Sequence, residues 1–481
     1  MKYSKYTVYL LVSVLFILVS CTTTINGIKQ PVSAADVFYT YSDGPWLVMG
    51  DNPSTEVNVV WTRYGDQPDS EILFGPDSDD MTIIPASDNK GKICSVLLKN
   101  LIPGKVYYYT LPSSPGEIKS FSLPDPETPI NFTIIGDLQP RAKISLMGVD
   151  VMKEYLAELD TDFFVQLGDI CDIGGFLPLW NSAMSRISVF ADDTPIAPVI
   201  GNHEYYLDTS GRNFRDFFPR NYPSGKRGYY YSLDIADIHM LFLDNFDISA
   251  NGKMTEEQKT WAENDLYKAY QKSDWIFIFM HHTMFTTGTS STDIELREWI
   301  IPLADKYGVT AVFFGHDHHY EHWKYEYGHD GLVYSPDDVP AGNTVNYFCS
   351  GSAGVQSEVQ YGLLDHDPMT EERKYWDKNL GDWIELTVER LHWDPDVYID
   401  HRDDPSYGHF PDGKHYYQLA GFNDFSTENT HLGYLYGEET MHYVQITVDE
   451  KECRISVHYP NGDLLVGPNG RHEQKWVFSK E

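Results

Sequence analysis

DFFVQLGDICD, residues 162–172, begins as an apolar run of strand length and ends in Gly-Asp. Such a run suits a strand, and the glycine lets the chain turn sharply where a short carboxylate follows. The pattern recurs. NFTII (131–135) leads to Gly136-Asp137, and PIAPVI (195–200) leads to Gly201-Asn202-His203-Glu204. WIFIFM (275–280) leads to His281-His282, and TAVFF (310–314) leads to Gly315-His316-Asp317-His318. HMLFLD (239–244) is a further strand of this kind. Helical stretches lie between the strands. Thr255-x-x-Gln258 and Thr292-x-x-Glu295 are capping boxes that open helices around Trp261 and around Leu296 and Trp299. Strands alternating with helices predict an α/β layer. In such a layer ligands bind outside the carboxyl ends of the strands, so five polar clusters share one edge.

Upstream the rhythm changes. VNVVWTRY (57–64), EILFG (71–75), ICSVLLKNL (93–101), KVYYYTL (105–111) and EIKSFSL (117–123) are short, β-branched and aromatic. Turn residues such as Asp51-Asn52-Pro53, Pro103-Gly104 and Pro115-Gly116 separate several of them. This predicts a small all-β sandwich over 37–124. The proline-rich SLPDPETP (122–129) marks the boundary, and the α/β domain is expected over 128–481. Within it, about 356–430 is polar, rich in Asp, His and Trp, and reads as an insertion. The tail, 441–481, returns to strand character.

A chain of 481 residues is too long for one ordinary core, so two domains are expected. Lys plus Arg total 36 against 71 Asp plus Glu, a formal charge of −35. So acidic a surface repels DNA, RNA and anionic lipid, and no nucleic-acid partner is expected. An anionic substrate needs a strong local positive site. At the N-terminus, Lys2 and Lys5 precede an apolar run from Tyr6 to Cys21, which is short for a membrane span and reads as a targeting segment. The small, polar stretch 22–36 reads as a tether. Cys94, Cys171, Cys349 and Cys453 are scattered, with no CxxC, and no disulfide can be assigned from them.

Asp137, Asp169, Asn202, His281, His316 and His318 offer oxygen and imidazole donors without a thiolate. That set suits Fe, Mn or Zn in a catalytic site rather than a structural zinc. Six donors exceed what one catalytic metal needs and suit two metals sharing a carboxylate. Two metals about 3.5–4 Å apart serve displacement at phosphorus.

The ordered series of Gly-Asp, Gly-Asp, Gly-Asn-His-Glu, His and Gly-His-x-His resembles the calcineurin-like metallophosphoesterase superfamily. With the sandwich in front, the chain is similar to the purple acid phosphatases and their bacterial relatives. NLIPGKVYYYTL (100–111) resembles the tyrosine-corner region of fibronectin type III-like domains. The resemblance implies β-sheets sandwiched between helices in four layers, and hydrolysis of a small phosphate ester, with attack by a hydroxide bridging two divalent or trivalent metals. Carried over residue by residue, the first metal takes Asp137, Asp169 and His318, and the second takes Asp169, Asn202, His281 and His316. Asp169 bridges. His203 hydrogen-bonds the phosphoryl oxygen and protonates the leaving alkoxide. The purple enzymes have Tyr where this chain has Asp172, and many relatives have His where this chain has Gln139. Asp172 is therefore a ligand candidate in place of the tyrosine, and no tyrosinate colour is expected. Leu18-Val19-Ser20-Cys21 resembles a bacterial lipobox. That implies lipidation at Cys21 and an extracytoplasmic, membrane-anchored lipoprotein; a simple secretory signal is the alternative.

Other readings stand beside these. His282 and His319 are candidates for the substrate side, and each also reads as a packing or supporting residue. His322 has no role in the set. Cys171 reads as an inert buried thiol, and Glu204 as an orienter of its loop. Mono- and diesterase or nucleotide-hydrolase activity are not separated by the motifs. A surface-binding lipoprotein with a vestigial metal site is the alternative of another class.

Overall fold

A computed structural model of the chain describes residues 22–25, 28–31, 44–62, 70–90, 93–114, 116–140, 143–223, 228–284, 294–326, 344–354, 364–366, 373–377, 382–386, 434–438, 441–465 and 474–479. Cys21 with the apolar run before it, Thr292, and most of 356–430 lie outside these residues.

All six apolar runs form strands: Ile130–Ile135, Phe163–Gln166, Ile196–Pro198, Ile238–Phe242, Trp275–Phe279 and Ala311–Phe314. The first three are parallel neighbours in a ten-stranded sheet, and the last three in a seven-stranded sheet. The two sheets meet face to face, with the Phe132 ring edge-on to Phe277 at 5.6 Å. Side-chain alternation then builds the next layer. Phe277 and Phe279 join the core between the sheets, while Ile276 and Ile278 pack with Leu266, Ile300 and Ile301 of the helices Glu256–Lys272 and Ile294–Lys306. Lys143–Leu156 and Leu177–Ile187 pack with the first sheet through Val149, Met152, Trp180 and Met184. The result is a four-layer α/β fold. Burial on both faces explains why these strands read as unbroken apolar runs, each large side chain contributing about 1.5–3 kcal/mol.

The β-rich N-terminal region is not set apart by a break in the sheet. Trp46–Met49 pairs in parallel with Ile196–Pro198 at Val48–Ile196 and antiparallel with Val57–Thr62, so one sheet runs through both regions. Alternation again explains it. Leu47, Val57, Val59 and Trp61 enter the sandwich core with Ile72, Tyr109 and Phe121, whereas Trp46, Val48 and Val60 enter the α/β core. Trp46 Nε1 donates to the Phe217 carbonyl at 3.0 Å, and Tyr109 Oη donates to the Asp192 carbonyl at 2.5 Å, which fixes the two regions further. Ile102 N donates to Tyr107 Oη at 3.0 Å, the bond of a tyrosine corner.

Thr255 caps its helix as expected, accepting from Gln258 N at 3.2 Å. The Gln258 side chain goes elsewhere: it accepts from Asp244 N at 2.9 Å and donates to Asp244 O at 2.7 Å. The helix is thus tied to the loop that follows Ile238–Phe242. At the other end of that strand, buried His239 lies between Asp234 Oδ1, at 2.8 Å, and Asp265 Oδ2, at 3.3 Å. Burial acts to lower the His239 pKa, but the two carboxylates outweigh it and hold it above the usual value. A raised histidine pKa stabilises the fold below the unfolded value and stops doing so as pH rises through the folded one. The expected result is a melting temperature that falls more steeply above neutral pH in the wild type than in His239→Asn. Asp234 is half exposed, so the increment is about 1 kcal/mol or less. Thermal melts across that pH range check it.

Candidate metal centre

Each strand of the two parallel sets delivers its polar residues at the same edge. Asp137 follows Ile130–Ile135, Asp169 follows Phe163–Gln166, Asn202 follows Ile196–Pro198, His281 follows Trp275–Phe279, and His316 and His318 follow Ala311–Phe314. Ligand atoms of Asp137, Asp169 and His281 all lie within 4.8 Å of one another, as do those of His281, His282 and His316. His281 Nε2 is 3.2 Å from Asp169 Oδ2 and 2.9 Å from Asn202 Oδ1. His318 Nε2 faces Asp137 Oδ2 at 3.5 Å. All six expected ligands therefore converge, three from each sheet.

The backbone is strained where the ligands turn inward. Asp169 and His316 hold left-handed conformations, φ 52° and 72°, which cost energy in residues with a Cβ and are stored where function needs them. Two glycines make the approach possible. A Cβ on Gly168 (φ +95°) would sit 2.6 Å from His281 Nδ1, and one on Gly201 would sit 2.2 Å from Asp169 Oδ1.

Side chains outside the ligand set fix the ligands. Glu204 is fully buried, and its carboxylate accepts from Asp169 N (2.9 Å), Gly201 N (2.8 Å), Ile170 N (2.8 Å) and Cys171 N (3.1 Å). Burial pushes its carboxyl up to about 7, with the Asp169 charge adding, while the N–H groups of Cys171 and Gly201 pull it down. Four donors are the surroundings of an ionised carboxylate. Gln139 Nε2 donates to Asp169 Oδ2 at 2.8 Å, so Gln139 holds the Asp169 carboxylate in place. Gln166 is buried within its strand and bonds Gly136 O and both polar groups of Gly168, coupling the first two loops. Asn245 Oδ1 accepts from His281 N and His282 N, at 3.2 and 3.1 Å. His281 Nδ1 donates to Leu167 O at 2.8 Å, which leaves Nε2 to face the other donors.

His203 is partly exposed. Its Nδ1 donates to Asp172 O at 2.7 Å, and its Nε2 stands 3.8 Å from Asp169 Oδ2. Asp172 Oδ1 lies 3.7 Å from His203 Nδ1, so Asp172 is placed beside this histidine. His282 stacks on the His316 ring at 4.1 Å, and its Nε2 makes no hydrogen bond among the described residues. His319 is not brought to the cluster's face: it is buried, 3.0 Å from Glu321 Oε1. His322 is a core histidine, stacked on Phe348 at 4.4 Å and bonded to Asn346 at 2.9 Å. Of the four histidines in 313–322, two face the cluster and two serve the packing behind it. Cys171 is buried, and burial raises its thiol well above the usual value, with Glu204 and Asp172 adding.

The donor set fits a metal pair. Asp137 Oδ2 is buried and accepts no hydrogen bond among the described residues. Burial acts to raise the Asp169 carboxyl, but His281 and His203 hold it well below the usual range. Burial likewise acts to lower His281, but Asp169 and Asp137 raise it to about 10. A proton on His281 thus neutralises a pocket whose donors suit a cation, and metal binding would release it.

Residues 130–320 match the Calcineurin-like phosphoesterase family. Among curated proteins, a probable purple acid phosphatase of Arabidopsis thaliana is 28% identical over 253 residues, 49% of this chain and 57% of that one. The chain spans a little over half the length of the first curated relatives it matches, 57%, 54% and 59%. Among solved structures, a purple acid phosphatase from yellow lupin seeds aligns with TM-score 0.61 and 16% identity, over 90% of this chain and 74% of that one. PhoD aligns with TM-score 0.56 and 12% identity, over 92% and 90%. These two likenesses concern the fold. The strand-end motifs, the four-layer architecture and the family match agree: residues 130–320 are a calcineurin-like phosphoesterase domain, and the chain that carries it is homologous to the purple acid phosphatases.

Proposed function

We propose that this protein is a dinuclear-metal phosphoesterase that hydrolyses phosphomonoesters. The observation that carries the reading is the convergence of Asp137, Asp169, Asn202, His281, His316 and His318 from two sheets onto one rim. Asp137, Asp169 and His318 would hold one cation, and Asp169, Asn202, His281 and His316 the other. Two cations there would lower the pKa of a water between them and offset charge on the phosphoryl oxygens. They would also supply the local positive field that a chain of charge −35 otherwise lacks.

The chain's own residues do the rest. Gln139 and the His203 backbone N–H hold both oxygens of Asp169. Tyr206 Oη accepts from Asn202 Nδ2 at 2.9 Å, which turns the amide oxygen toward His281. His203, fixed through Nδ1, presents Nε2 to the substrate. There it hydrogen-bonds a phosphoryl oxygen and gives a proton to the leaving alkoxide. An ester panel with added Mn, Zn or Fe tests the reading. Turnover of p-nitrophenyl phosphate well above that of its bis ester is expected. Preference for the bis ester would make the protein a diesterase, and no turnover of either with any metal would overturn the proposal.

A further inference from the structure

Two loops that border the site carry a patch of which the chemistry above uses only the Tyr206 hydroxyl. Phe176 and Leu177 follow Asp172 and lead into the Leu177–Ile187 helix, and Tyr206 and Leu207 follow the Asn202–Tyr205 turn. The loops run side by side: Gly174 N donates to His203 O at 2.8 Å, and Gly175 N donates to Tyr206 O at 2.7 Å. A Cβ on Gly175 would sit 2.6 Å from Leu207 Cβ, so glycine is what lets them close up. All four large residues are exposed, by 40%, 39%, 42% and 59% in chain order. Isolated exposed apolar residues need no explanation, but four together beside a catalytic centre do. Leu207, the most exposed, also holds a left-handed backbone, φ 58°, in which a leucine is strained.

The patch is continuous with the reacting group. The Tyr206 ring lies 4.6 Å, centroid to centroid, from the ring of His203. In the reading above, His203 meets the leaving oxygen, so whatever is attached to that oxygen lies over Tyr206 and its neighbours. We propose that Phe176, Leu177, Tyr206 and Leu207 form the leaving-group subsite, and that it selects phosphomonoesters of apolar alcohols. The acidic surface acts in the same direction by disfavouring leaving groups with further negative charge. This rests on the phosphomonoesterase reading.

Straight-chain alkyl phosphates from ethyl to octyl share nearly the same leaving-group basicity, so a trend along them reports contact with the chain. The full-length protein, loaded with the metals that support p-nitrophenyl phosphate turnover, should show kcat/KM rising about 10-fold or more from ethyl to octyl phosphate. An open apolar surface captures only part of what a closed pocket gains per methylene. In the double variant Phe176→Ser, Leu207→Asn the rise should shrink to about 2-fold or less, with the ethyl phosphate rate unchanged as the control for folding. Asn is chosen because it tolerates the left-handed backbone. A flat series in the wild type, or the same rise in the variant, with turnover measurable in both, overturns the subsite and leaves the esterase reading standing. A variant that keeps the rise but loses binding to phosphatidylcholine vesicles overturns it too, because the patch then serves a lipid surface. No turnover of any ester, p-nitrophenyl phosphate included, overturns both readings together.

Discussion

Asp169→Asn should lower kcat/KM for p-nitrophenyl phosphate on the order of 10³-fold or more, the scale expected when preorganised charge is lost from a developing transition state. In the proposed reading, Asp169 is the one carboxylate that both halves of the donor set share. Its Oδ2 lies 3.2 Å from His281 Nε2, 3.8 Å from His203 Nε2 and 2.8 Å from Gln139 Nε2. An amide keeps the volume but removes the charge. It also turns an NH₂ group toward one of two sides already occupied by donors, Gln139 Nε2 or the His203 backbone N–H. Metal content should fall along with turnover. Full activity in Asp169→Asn would mean that the side chain bridges nothing. A loss of activity with unchanged metal content would confine its role to orienting His203 and Gln139.

The second large effect is on stability. Glu204 is fully buried and accepts four backbone N–H bonds, three of them from the loop that carries Asp169 and one from Gly201. Glu204→Gln should destabilise the fold by about 3–5 kcal/mol, since a carboxamide accepts at one atom only and leaves two buried donors unmet at about 1–3 kcal/mol each, with repulsion added. Chemical denaturation measures this directly. Activity should fall as well, because the Asp169 and Asn202 loops lose their common anchor. A change below about 1 kcal/mol would contradict it, showing that the donors find other partners.

Much of this was legible in the sequence because it is local. An apolar run followed by Gly and a short polar side chain marks a strand end within a few residues, and the five such clusters are the ones that converge. Partners contributed by distant residues were harder to read. Gln139 stood out only as a departure from the familiar His; its bond to Asp169 depends on how two loops meet. Gln166 offered a signal, a lone amide inside DFFVQL, and the structure shows why it is there: it is bonded to two glycine loops. Asp244-Asn245 ends the HMLFLD strand as the other clusters end theirs, yet it serves the backbone of His281 and His282 rather than the ligand set. The shared sheet is not legible in the sequence, because Trp46–Met49 is four residues long and apolar on both faces. Only the partner strand shows that its two faces feed different cores. The exposed patch on Phe176 and Leu207 has no periodicity to reveal it.

The proposed hydrolysis depends on a pair of cations held by side chains that the two sheets bring to one rim. Elemental analysis of protein saturated with Mn, Zn or Fe and then freed of excess metal tests it most directly. Two metal equivalents per chain, lost in parallel with phosphate release on chelation, are the predicted result. Undiminished hydrolysis by protein stripped to less than a tenth of an equivalent (an order-of-magnitude bound for full occupancy of two ligand sets) would contradict it.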